Sequence, residues 1–446
     1  MANPEKVGQG PTAKGARGVG DGDAEYMPPL KHAIPLGLQH VLAMFAGNIT
    51  VPIIIAGVIG ASPDEKTFLI QAAMLVAGIA TLIQTVGIGP VGARLPIVQG
   101  TSFGFLPVAI PIAKSFGLAA VLGGALIAGL IQVALGAMLG RIRHWMPPLV
   151  TGIVVLAIGV ALLPVGIKYA AGGVKAPDFG AAHHLGMALF VVLLTLVLKF
   201  SFKGLVSAAA VFIAIVVGYA VAFPFGMASL GNVESAAWFA VPTPLQFGLE
   251  FPAAAIIGMG VMAFVTTIET VGDISGITMG GAGRDATDKE TSGGIMADGI
   301  GTSIAAVFNA LPNTSYSQNV GLVALTGVMS RHVVSIGAVI LVLAGLVPKL
   351  GAVVASIPNA VLGGAAIIMF GMVAAAGLKL IASADLNRRN LVIIALSLGV
   401  GLGLQAVPDA VAIVPQQIKL LLVSGIIPAA FLAVVLNAVL PEEETS

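Results

Sequence analysis

The chain has 446 residues, 57% of them hydrophobic and 9% charged, with a mean hydropathy of +1.03. An ordinary soluble domain is about a quarter charged, so this composition cannot cover a soluble core and defines a polytopic membrane protein. The absence of cysteine excludes disulfides and zinc–thiolate sites, and a net charge of +1 gives no basis for nucleic-acid binding.

Residues 1–28 are Gly-rich and charged and lack the apolar core of a signal peptide, so they read as a disordered cytoplasmic tail. From residue 33 onward, long apolar runs recur. Fourteen spans are expected, near 33–58, 67–88, 97–112, 117–140, 147–167, 185–200, 204–224, 250–272, 293–310, 317–329, 332–354, 357–378, 390–407 and 417–440. Two of them, 97–112 and 317–329, are short and follow Pro and turn residues. Arg94, Arg141, Arg143, Lys199, Lys203, Arg284, Lys289, Arg331, Lys379, Arg388 and Arg389 fall in the even loops. The odd loops carry fewer cations: Lys66, Lys114, Lys168, Lys175, Lys349 and Lys419. The positive-inside rule then places the even loops and both termini in the cytoplasm.

The chain echoes itself. Residues 95–104 read LPIVQGTSFG and residues 311–317 read LPNTSYS, and each string introduces one of the two short spans. Seven spans, an odd number, separate them, so the halves would be inverted and their broken helices would meet near the midplane.

Ionisable residues inside the spans are few: His40, Glu269, Asp273 and Asp298. Such groups are costly in a bilayer and usually face a cavity. Glu269 and Asp273 share a helix face at i, i+4. Asp273 either shares a site with Glu269 or touches water near the cytoplasmic end. Asp298, among Gly293, Gly294, Gly299 and Gly301, either serves the site or bonds across a closely packed interface. His40 either titrates or is a satisfied core residue. Ser317, Gln318 and Asn319 open an apolar half-helix whose first N–H groups lack intrahelical partners. Ser102 and Phe103 occupy the matching place in the first half, with Phe103 facing Tyr316 in the alignment. A ring-shaped solute would suit an amide, a carboxylate and an aromatic face. No nucleotide-binding loop and no metal cluster is visible, and His183 and His184 are expected to lie inert in a loop.

QNVGLVALTG at 318–327 resembles the signature of the nucleobase–ascorbate transporters, and QH at 39–40, QGTSF at 99–103 and ETVGD at 269–273 resemble further motifs of that family, in order. The xanthine and uric acid permease branch is the nearest likeness. The resemblance implies an all-α fold of fourteen transmembrane segments in two inverted repeats of seven, with short strands in segments 3 and 10. It implies a core domain (29–140 and 250–356) and a gate domain (141–249 and 357–440), with cytoplasmic tails at 1–28 and 441–446. It implies secondary transport, not enzymatic activity: proton-coupled import of a purine nucleobase by an elevator-like motion, in a homodimer in the inner membrane, with no cofactor and no metal. Glu269 would grip the N–H groups of the base, and Gln318 its opposite part. Phe103, flanked by Thr101 and Ser102, would lie near the ring, with Ser317 and Asn319 completing the site. His40, Asp298, Asp273 and Glu269 would serve proton coupling. Gln at 318 followed by Asn resembles xanthine and urate carriers, whereas uracil carriers tend to have Glu and ascorbate carriers Pro. A serine at 102, smaller than the Asn of some xanthine carriers, would leave room for the C8 oxygen of urate. The alternatives are another nucleobase (uracil, hypoxanthine or guanine) or an anion carrier of the same fold.

Overall fold

A computed structural model describes residues 22–142, 147–173 and 176–441. The first half runs α1 (Leu30–Ile59), α2 (Pro63–Val86), β1 (Gln99–Thr101), α3 (Leu106–Phe116), α4 (Leu118–Ala137), α5 (Leu139–Ile142), α6 (Pro148–Ala170), α7 (Ala182–Ser201), α8 (Leu205–Ala208), α9 (Ala210–Ala222) and the connector α10 (Gly231–Ser235). The second half runs α11 (Ala253–Ala282), α12 (Asp288–Val307), β2 (Asn313–Ser315), α13 (Ser317–Thr326), α14 (Arg331–Gly345), α15 (Pro348–Ala355), α16 (Asn359–Ala382), α17 (Arg388–Ala406), a 3-10 turn (Pro408–Val411), α18 (Gln416–Leu422) and α19 (Ile426–Val439). Every expected span coincides with one of these elements or an adjoining pair. Among the described residues eight helices are long and apolar enough to cross a membrane, or up to ten if each bent pair counts as one span.

Three spans expected as single helices are interrupted. The 332–354 span bends by 83° between α14 and α15, where Pro348 starts a new helix. The 417–440 span bends by 74° between α18 and α19, at Gly425 with φ +78°. The 204–224 span breaks at Ala209, between α8 and α9.

Most of the expected tail, residues 1–21, lies outside the described residues. Its end is tied down. The Arg331 N–H donates to the Ala24 carbonyl at 3.0 Å, and the Arg331 guanidinium lies 2.7 Å from Glu25.

Packing repeats between the halves. Helix α1 packs on α14 and α11 on α4; α2 packs on α14 and α12 on α4. A second group joins α6 to α16, α7 to α9 and α16, and α17 to α19 and α6. The helices approach closely because their contacts are built on glycine. A Cβ at Gly299 would lie 2.5 Å from the Gly129 carbonyl oxygen, and one at Gly129 2.5 Å from that of Gly299.

The strands show the inversion most clearly. The residues after Leu95-Pro96 and Leu311-Pro312 are extended, and their backbone groups must find partners inside the bilayer. They find each other. β1 pairs antiparallel with β2, Gly100 opposite Thr314 and Thr101 opposite Asn313. If Gly100 corresponds to Asn313 and Thr101 to Thr314, as the echo aligns them, a twofold axis exchanges these two pairs. The same axis takes Gln99–Ser315 to Pro312–Ser102, where the Ser102 N–H donates to the Pro312 carbonyl at 2.8 Å.

Candidate functional site

The crossing strands lead into α3 and α13, and the singled-out residues gather around them. Asp298, from α12, is fully buried. It accepts from the Gln99 amide and the Thr270 hydroxyl, and from Thr314 Oγ1 at 3.4 Å. It therefore joins β1, α11 and β2. The surrounding glycines permit this approach: a Cβ at Gly294 would sit 2.4 Å from Ile274 Cδ1.

Asp273 is 7% exposed and not opened to water. Its two oxygens accept from Ser315 and Ser317, both at 2.7 Å. These bonds pin the end of β2 and the first residue of α13 to α11. Glu269 lies one turn earlier on the same helix face. Its Oε2 is buried and has no hydrogen-bond partner among the described residues. Of the three membrane carboxylates, two are held by hydroxyl and amide donors and the third has an unpaired oxygen.

His40 is buried in α1 and connects to α13. The Asn319 amide donates to His40 Nδ1 at 3.0 Å and to the His40 carbonyl at 3.1 Å. With the amide donating, Nδ1 is the acceptor and the imidazole proton sits on Nε2. Asn319 Oδ1 is buried without a partner among the described residues, as are Asn48 Nδ2, Gln99 Oε1 and Asn313 Oδ1. Buried polar atoms are normally paired, and these unpaired ones concentrate around the strand crossing.

Phe103 is buried edge-to-face on Phe370 of α16, with centroids 5.1 Å apart. Tyr316, its counterpart, donates its hydroxyl to the Thr101 carbonyl at 2.8 Å. Ser102 Oγ turns inward and accepts from the Gly104 N–H at 3.2 Å. A cavity of about 460 Å³ reaches this region, within the range of small-molecule sites. Ser317, Gln318 and Gly47 belong to its wall, with Lys199 and Ser207 farther along. Glu269 and Phe103 are not in that wall. Gly47 separates the cavity from the aromatic pair, for a Cβ there would lie 2.8 Å from Tyr316 and 3.3 Å from Phe103.

Several supporting residues escape sequence reasoning. Asn48 accepts from the Thr101 N–H at 2.9 Å through Oδ1 and from the Thr101 hydroxyl at 2.7 Å through its carbonyl. Thr270, Thr314 and Ser315 hold the acids. Thr270 lies in the ETVGD string and Thr314 and Ser315 in the LPNTSYS echo, whereas no motif signalled Asn48.

Inverted repeats, paired short strands in broken segments and buried acids beside a half-helix define a multi-pass membrane transporter. The chain belongs to the Permease family, the nucleobase–ascorbate transporters, whose profile matches residues 31–410. It is 39% identical over 411 residues to the uric acid transporter UacT of Escherichia coli (strain K12), covering 91% of this chain and 85% of that protein. It is 38% identical over 412 residues to a xanthine permease of Bacillus subtilis (strain 168), covering 91% and 93%. Among solved structures, the transmembrane domain of the cyanobacterial bicarbonate transporter BicA is similar with a TM-score of 0.56 at 16% identity, covering 92% of this chain and 98% of that one. Murine Solute Carrier 26 family member A9 in its inward-facing state gives 0.62 at 13%, covering 93% and 69%. At such identities these two show the shared fold alone. As a permease the chain is not an enzyme and needs no cofactor.

Proposed function

We propose that this chain imports an oxopurine nucleobase, xanthine or uric acid, together with protons, by elevator-type alternating access. The observation that carries the proposal is the unpaired, buried Oε2 of Glu269, one helical turn from the Asp273–Ser317 bond that fixes the start of α13. Oxopurines present N–H donors and carbonyl acceptors along a flat edge. A carboxylate accepts from such N–H groups, the Gln318 amide can donate to a carbonyl and accept from an N–H, and the first N–H groups of α13 favour electron-rich atoms. The family resemblance supports a place for Phe103 near the ring. The uric acid and xanthine permeases among the relatives support this substrate class over uracil, hypoxanthine or guanine. The fold likeness to bicarbonate and anion carriers is the basis for the alternative reading. That reading expects a cation where Glu269 stands.

Proton coupling follows from the same group. An ionised Glu269 accepts substrate N–H bonds and a protonated one accepts them poorly, so proton and base occupancy are linked. Asp298, His40 and Asp273 form the surrounding network through which a proton would be exchanged. Core helices (α1–α4 and α11–α15) and gate helices (α6–α9 and α16–α19) pack mainly within their own groups, which supports relative movement of two bodies. The cavity wall includes Gln318 as well as Lys199 and Ser207, which the charge bias assigns to the cytoplasmic side, and this supports a route between the candidate site and that side. The same bias supports both termini lying on the cytoplasmic side of the cell membrane, and the family resemblance supports a homodimer.

The test is equilibrium binding of xanthine and uric acid to purified Glu269→Gln. Loss of a bond to a charged acceptor predicts roughly 10- to 100-fold weaker binding with the fold intact. Wild-type affinity in that variant would exclude the anchoring role.

A further inference from the structure

Two consecutive histidines open α7, in its first turn and not in the loop before it. His183 and His184 each bring Nε2 to 3.0 Å from the same oxygen, Oδ2 of Asp178. Their rings lean together, with centroids 4.1 Å apart and planes at 44°. The carboxylate is held in place by backbone turns. The Ala176 N–H donates to the Gly173 carbonyl, Gly180 to Ala171 and Ala181 to Asp178, each at 2.9 Å. Gly172, at φ +104°, seats the His184 ring: a Cβ there would lie 2.6 Å from Cδ2. The Asn359 amide donates to the Gly172 carbonyl at 3.0 Å, tying the loop to the start of α16. The three side chains border a pocket of about 430 Å³ whose wall also includes Lys66 of α2. The Lys66 ammonium is engaged with the Ala355 carbonyl at 2.6 Å.

We propose that Asp178, His183 and His184 form a three-ligand site for a divalent cation of the zinc class. All three ligand atoms lie within 4.8 Å of one another. Nitrogen and oxygen ligands stand about 2.0–2.2 Å from zinc, so neighbouring ligand atoms in a tetrahedral shell are roughly 3.3–3.6 Å apart. The two N···O separations of 3.0 Å need to open only slightly to admit the ion. Two imidazoles with one carboxylate favour zinc, copper or nickel over calcium and magnesium, which prefer oxygen. Asp178 and His183 are about half exposed, at 48% and 49%, so an ion can enter and keep a coordination position open to water. Once bound, it braces Asp178 against the first turn of α7, in the wall of a pocket that Lys66 and Asn359 also border. The charge bias puts this pocket outside the cytoplasm. That placement rests on the topology proposed above, and the binding itself does not.

The experiment uses the purified full chain without a histidine tag, stripped with a chelator and titrated calorimetrically with Zn²⁺. One ion per chain is expected, undisplaced by excess Mg²⁺. The His183→Ala, His184→Ala double variant and Asp178→Asn should each weaken binding more than about tenfold, the lower end of what even outer-shell partners contribute. Metal-free substrate uptake should stay at the wild-type level, because none of the three touches the candidate substrate site. No binding to the wild type, or equal binding to the double variant, overturns the proposal. Should the double variant fail to fold, Co²⁺ on the wild type decides. An intense visible band of a low-coordinate histidine site supports the assignment, and only the pale band of six-coordinate cobalt contradicts it.

Discussion

Asp298 joins three elements through three donors, and its environment is specific to oxygen-bearing side chains. Thr270→Val keeps the shape of Thr270 and removes its hydroxyl. One lost bond to a buried carboxyl group costs about 1–3 kcal/mol, so this variant should melt at lower temperature and transport more slowly. Unchanged melting and unchanged uptake would show that the Thr270 bond contributes nothing. Ser317→Ala tests the neighbouring acid. Asp273 would keep only Ser315, and the first turn of α13 would be held less firmly. Substrate affinity should fall more than stability does; a purely structural role would lower the melting temperature and leave affinity intact. At this scale the acids themselves were legible, because a carboxyl group in an apolar run is conspicuous, and the shared face of Glu269 and Asp273 follows from helical spacing. Their partners were not legible. Gln99, Thr314 and Ser315 reach the acids from strands far away in the chain, and no local period announces such contacts. Of the two readings open for Asp273, contact with water is the one the structure does not show, since Ser315 and Ser317 cover its oxygens.

The strand crossing and the glycine contacts govern the elements. A side chain at Gly299 must push α12 from α4, because its Cβ would stand 2.5 Å from a backbone oxygen that cannot swing aside. Gly299→Val should cost about 1–3 kcal/mol in overpacking, read as a lower melting temperature in detergent. Gly399→Ala on α17 meets nothing within 4 Å and should be neutral or slightly stabilising, by up to about 1 kcal/mol. Equal effects at both positions would refute the packing argument. Hydropathy located the elements well, but not the breaks at Ala209, Pro348 and Gly425, because apolar composition continues through them. One sign of the repeat also passed unnoticed in the sequence. Ser62 with Glu65 and Thr287 with Glu290 are capping boxes that start α2 and α12, the second helix of each half.

Over the whole molecule, the helices form two packing groups, and a cavity of about 460 Å³ lies between α1, α7, α13 and α16. Helices α7 and α17 are the least buried of the long spans, at 22% and 17% of their apolar windows against 78% for α2. They occupy corresponding places in the two halves, so both repeats turn the same member outward. Hydropathy and the LP…TS echo together made this architecture legible, since a membrane forces unpaired backbone to find a partner. The cavity was not legible, because apolar composition does not register where packed helices part. The measurement that tests the central claim most directly is uptake of labelled xanthine into vesicles containing this chain, with and without a protonophore. Unlabelled uric acid, hypoxanthine, guanine and uracil serve as competitors. Uptake that collapses with the proton gradient and is blocked by uric acid but not by uracil is the predicted result. Uptake indifferent to the protonophore, or blocked by uracil alone, would contradict a proton-coupled oxopurine carrier.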